Sequence, residues 1–142
     1  MGWVNDELAR IRKTKKQEEE RLKVQQEKDH VARTKLPDLW KKLVEIINSD
    51  AVELEQAVRG VKLYVNATED ALAVTRPTDQ DPLLQLVLDR NELTIKYTGI
   101  INGTFRVGLS EWDDPQLCDG GTPMPLPKAS EAMLKPIVQL FA

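Results

Sequence analysis

The chain has 142 residues, 41% of them hydrophobic and 30% charged, a balance that fits a single folded domain and excludes a disordered or collagen-like chain. Its net charge of −3 is unevenly shared. Residues 1–35 carry ten Lys/Arg against seven Asp/Glu, a net of +3, and residues 36–142 carry ten against sixteen, a net of −6. An acidic body does not hold nucleic acid over its whole surface, so only the N-terminal part is a candidate for that.

Residues 3–35 contain neither Gly nor Pro and are rich in Glu, Lys, Arg and Gln. The composition predicts one helix from about Asn5 or Asp6 to about Thr34, a charged arm occupying residues 1–35. Steps of three and four from Leu8 trace a seam through Ile11, Lys15, Glu18, Leu22, Gln25, Asp29, Ala32, Leu36, Leu39, Leu43 and Ile46. Its ends are apolar and its middle is polar, so it does not make a sustained heptad coiled coil. Two readings stay open: a solvated arm, or a coiled coil that needs a partner. Trp3, Val4, Leu8, Ile11 and Leu22 are the candidate contact residues on it.

Pro37 disfavours helix at Leu36 and suits the first turn of a second helix. That helix, over 37–59, carries the apolar stripe Leu39, Trp40, Leu43, Val44, Ile46 and Ile47. Asn48-Ser49-Asp50 offers an internal restart, and Gly60 ends the helix. Period-two alternation then predicts strands around Val61–Val65, Leu72–Val74, Leu83–Leu88, Leu93–Tyr97 and Phe105–Leu109. The third is apolar on nearly both faces and is expected at the centre of the sheet, with both helices of the body packed on one face. Asp89-Arg90-Asn91-Glu92 reads as a hairpin turn. A strict two-residue turn at Asn102-Gly103 would put Val107 and Leu109 on the wrong face. Either a bulge at Gly99 or a looser turn from Gly99 to Gly103 is therefore required.

Residues 110–128 hold four prolines and Asp119-Gly120-Gly121, and read as irregular, with Gln116-Leu117-Cys118 a further short strand at most. Pro123 to Lys128 reads as a stiff, extended lead-in. A helix from about Ser130 closes the chain, and Pro136 is expected to kink or split it. The expected fold is α+β: a long charged N-terminal helix, a second amphipathic helix, a five-stranded, mainly antiparallel sheet and a kinked C-terminal helix. The small α+β domain spans 36–142.

Chemistry-bearing groups are sparse. His30 is the sole histidine and lies on the charged arm, where a surface position is expected. Cys118 is the sole cysteine; it forbids an intrachain disulfide and reads as a small core or edge residue. Asp113-Asp114 and Asp79 with Asp81 read as turn residues rather than a facing acid–base pair. No phosphate-binding glycine motif is present. The expectation is no enzyme, no catalytic residue, no metal and no cofactor.

Arg10, Arg12, Lys13, Lys15 and Lys16 form a basic segment able to meet phosphates or an anionic lipid surface, but Glu18-Glu19-Glu20 follows at once. Trp112, set among Glu111, Asp113 and Asp114, reads as an edge residue covering the core, with a partner anchor as the other option. The N-terminus has no signal-peptide pattern and no stretch is long enough to span a membrane, so a cytoplasmic location is expected, with peripheral membrane contact the most the arm would make. The sequence favours a protein-interaction or self-assembly module using the N-terminal helix. Anionic-surface binding through 10–16 is the first alternative, with nucleic acid disfavoured. A small-ligand or enzymatic pocket between sheet and helices is the second.

Overall fold

A computed structural model describes residues 2–78 and 80–141; Asp79, and with it the Asp79–Asp81 pair, lies outside them. The chain begins with one helix, α1 (Gly2–Ala57), about 84 Å long at 1.5 Å per residue. The break expected at Pro37 is absent, so the second amphipathic helix is the C-terminal half of α1. Pro37 removes one N–H and leaves the Arg33 carbonyl without its intrahelical donor. That carbonyl belongs to an exposed residue, while Leu36, Leu39 and Trp40 on either side of the proline are buried. Core packing of these neighbours holds the helical geometry that the proline disfavours. Pro37→Ala restores the missing donor at an exposed position. It should stabilise the fold by about 1–2 kcal/mol, below the ~3 kcal/mol cost of proline in an isolated helix interior. An unchanged thermal midpoint would show that the proline is strain-free.

Nor does the helix restart at Asn48-Ser49-Asp50. Asp50 turns instead towards the C-terminal helix, where its Oδ2 accepts from the fully buried Ser130 Oγ at 2.6 Å. The helix stops three residues before Gly60, which sits at φ +87°, the left-handed geometry that ends helices.

Seven strands follow: β1 (Tyr64–Ala67), β2 (Ala71–Thr75), β3 (Leu84–Asp89), β4 (Thr94–Gly99), β5 (Gly103–Leu109), β6 (Pro115–Asp119) and β7 (Thr122–Met124). They form one antiparallel meander in the order β1-β2-β3-β4-β5-β6-β7. The sheet thus has two strands more than the five expected. The proline-rich segment 115–124 is a hairpin. Gly120 and Gly121 both have positive φ, +58° and +86°, as a two-residue primed turn requires. Pro115 opens its strand and Pro123 lies on the sheet's last strand, the positions where a missing N–H is tolerated.

The β4–β5 turn takes the looser solution. Tyr97 faces Gly103 and Ile95 faces Phe105, which keeps Phe105 and Val107 on the core side. Gly99 has φ +133° and its N–H donates to Asn102 Oδ1 at 3.1 Å. One face of the sheet carries the rows Leu72–Leu86–Tyr97, Leu88–Ile95–Phe105 and Val107–Leu117–Met124. The opposite face is uncovered. On it Gln85 and Val87 are exposed, and β3 lies inside the sheet as expected, between β2 and β4.

The last element, α2 (Leu126–Phe141), starts four residues earlier than expected. Pro127 occupies its first turn, where no amide donor is needed, and the Ala129 N–H bonds to Pro125 O at 2.9 Å. The 123–128 segment is therefore the end of β7 and the start of α2, not a free extended run. Pro136 does not split the helix: the fully buried Met133 and nearly buried Ile137 anchor both sides of it. The C-terminal half of α1 and α2 pack on the same face of the sheet, enclosing one core from Ala32 to Ile137. Trp40 Nε1 donates to Thr68 O at 2.9 Å and ties α1 to the β1–β2 turn. The chain is α+β, with two helices on one side of an antiparallel sheet.

Candidate interaction surface

Every residue from Gly2 to Lys28 is exposed. Burial starts at Asp29, and Ala32 is the first residue to enter the core. Seven turns of helix therefore run beyond the body, continuous with it through residues 35 and 36. Two side chains lash the root of this arm to the hairpins on either side. Arg33 donates to Asn91 O at 3.0 Å and Arg90 O at 3.3 Å, at the β3–β4 turn. Lys35 Nζ donates to Asp113 O at 2.9 Å, at the β5–β6 turn. Neither contact is legible in the sequence, because both depend on the register of distant strands.

The arm carries apolar side chains with nothing to cover them. Trp3 is 75% exposed and Leu22 58%, with Val4, Leu8 and Ile11 also exposed. At about 100° per residue, Val4, Leu8, Ile11 and Leu22 fall along one line of the helix. The same three-four spacing continues through Ala32, Leu36, Leu39 and Leu43, whose mean direction is turned by about 75° from that line and which are buried against the body. The seam therefore has two parts: one sealed by the sheet, the other open to water. Trp3 lies to one side of the line, and Val24 is exposed on a different face. Local contacts along the arm are of the helical-neighbour kind. Arg10 pairs with Glu7, Thr14 Oγ1 donates to Arg10 O at 3.0 Å, and Gln25 Nε2 donates to Asp29 Oδ1 at 3.0 Å. Exposed pairs of this sort contribute little.

The basic residues do not share a face. At the same angular step, Arg10, Arg12, Lys13, Lys15 and Lys16 are spread over more than half of the circumference. Glu19 and Glu20 fall in the sector of Arg12, Lys13 and Lys16. A flat anionic surface would meet only some of these cations, and would meet carboxylates among them.

Trp112 does not cover the core. It is 82% exposed at the tip of the β5–β6 turn, because the turn is closed by its own polar groups. Ser110 Oγ accepts from the N–H groups of Trp112 (3.3 Å) and Asp114 (3.2 Å), and Ser110 N–H donates to Asp114 O at 2.8 Å. Asp113 takes φ +57°. This compact loop holds the indole outward, on the side of α1 that carries Lys35.

His30 is exposed on the arm, and Cys118 is half-buried on the uncovered sheet face beside Arg106 and Pro123. Among the described residues no three His, Cys, Asp or Glu side chains converge as a metal site would need. An open groove of about 510 Å³ lies between α1 and α2, lined by Asp50, Glu53, Leu54, Glu131, Leu134 and Lys135 among others. No described helix is long and apolar enough to cross a membrane. Comparison of the chain with family models, with curated proteins and with solved structures returns no match. The surface must be read from its own chemistry.

Proposed function

We propose that the protein is a non-enzymatic interaction or self-assembly module whose working part is the N-terminal half of α1. One observation carries this reading: the helix has two dozen or so exposed residues that nonetheless keep the apolar line Val4, Leu8, Ile11 and Leu22, with Trp3 beside it. Such a helix buries no surface of its own, and isolated helices gain most of their stability from packing. A partner helix laid along this line supplies the packing, in the manner of helix-in-groove or coiled-coil recognition. Trp112, held outward on a closed loop, is a second anchor of the type enriched at interface centres.

The test is a full-length Leu8→Glu/Ile11→Glu/Leu22→Glu variant. These three side chains make no core contact, so the body of the variant should remain folded, with the near-ultraviolet circular dichroism of the wild type. Sedimentation velocity and affinity capture should both show association in the wild type and its loss in the variant. Identical behaviour of the two proteins in both measurements would remove the arm as the interaction surface.

A further inference from the structure

The exposed part of the seam is, in order, Val4, Leu8, Ile11, Lys15, Glu18, Leu22, Gln25 and Asp29. Its polar centre rules out a parallel pairing in register, because Lys15 would stack on Lys15 and Glu18 on Glu18. Reversing one helix changes the outcome. With the two-fold axis between residues 16 and 17, Lys15 of each chain faces Glu18 of the other, and Ile11 faces Leu22. Leu8 then meets Gln25, and Val4 meets Asp29. Each of these couples one a position with one d position, which is how antiparallel coiled coils layer.

The flanking positions agree with the same register. Arg12 lies beside Glu19 of the other chain, and Glu7 beside Lys28, both attractive. A shift of one heptad either way sets Leu8 or Leu22 against Glu18, so the axis at 16/17 is singled out among the antiparallel alternatives. Deepening the proposal that the arm is an interaction surface, and resting on it, we infer that the occupant is a second copy of this chain. The two arms lie antiparallel with Lys15 and Glu18 paired across the axis.

The body leaves room for this arrangement. The register brings Val4 of the second copy only as far as Asp29, and the seam first enters the core at Ala32. Beside that point a groove of about 390 Å³ opens between the arm and the β5–β6 turn, lined by Lys28, Asp29, Ala32, Val107 and Leu109 among others. Trp3 of the second copy falls level with His30, between the Asp29 and Ala32 that line this groove and on the side where the groove opens. That gives an otherwise uncovered indole a mixed seat next to the Trp112 loop, with Ala32, Val107 and Leu109 for the ring and Asp29, Ser110 and Glu111 at its rim.

Charge reversal on the full-length chain tests the pairing by sedimentation equilibrium. The wild type should be a dimer. Lys15→Glu and Glu18→Lys should each raise the dimer dissociation constant by about tenfold or more, since each creates two like-charge contacts at the centre. The double variant Lys15→Glu/Glu18→Lys should restore it. A parallel dimer would respond differently: its like-charge layers persist in all three variants, so no loss and rescue would be seen. A wild-type chain that stays monomeric overturns the inference, as does a dimer indifferent to the reversals or one the double variant fails to rescue. The Leu8→Glu/Ile11→Glu/Leu22→Glu variant separates the two levels. If it dissociates a dimer that ignores the reversals, the arm is the surface and the antiparallel register is wrong. If it changes neither mass nor affinity capture, the arm itself is wrong.

Discussion

Phe105→Ala should lower the unfolding free energy by about 3–5 kcal/mol, the range for deleting a buried aromatic side chain. Phe105 is essentially inaccessible to solvent, in the row Leu88–Ile95–Phe105 at the middle of the sheet. Its ring centroid lies 5.1 Å from that of Tyr97, so the substitution removes a ring pair as well as apolar contact. The neighbours are held in a paired ladder and cannot collapse into the space. Urea unfolding followed by circular dichroism measures the change. A loss below about 1 kcal/mol would mean that the sheet and helices are not packed as described.

Gly99→Ala should cost about 3 kcal/mol or more. A Cβ at this position would lie 2.2 Å from Leu83 O, a backbone atom that also accepts from Ile100 N–H at 3.1 Å. The backbone is in addition at φ +133°, where an L side chain is strained. Gly60→Ala is the control: φ there is +87°, but nothing lies within 4 Å of the added carbon. It should cost only about 1 kcal/mol. Equal losses in the two variants would show that backbone conformation alone sets the penalty and that the β3–β4 contact is looser than drawn.

The elements that could be read in advance are those whose periodicity is unbroken. Leu39, Trp40, Leu43 and Ile47 repeat at helical spacing and are buried as that spacing implies. Leu72 with Val74, and Ile95 with Phe105 and Val107, alternate as half-buried strands and lie on the core face. The parity argument at Gly99 worked because a strand has only two faces. Prolines caused the errors. Pro37 was expected to interrupt a helix that buried neighbours hold together, and Pro115 and Pro123 hid a hairpin because their tolerated positions become visible only once the strand order is known. The run Leu83–Leu88 was expected inside the sheet, and β3 lies there, between β2 and β4. That Val87 nonetheless faces an uncovered surface is something no local pattern distinguishes. Of the interaction surface, the apolar residues of the arm were identifiable by type and spacing. Trp112 was expected chiefly over the core, and its outward placement depends on the Ser110 hydrogen bonds, which a residue pattern does not reveal.

Because every strand of the meander bonds only to those adjacent in sequence, the sheet assembles by a series of short loop closures. Such local closures are entropically cheap and favour rapid folding. The hydrophobic layer is a different matter. Its first contributors, from Ala32 to Leu54, leave the ribosome ahead of every strand, and its last, Met133 to Ile137, follow all of them. Synthesis therefore leaves an oily flank of α1 uncovered until the strands that seal it have been made.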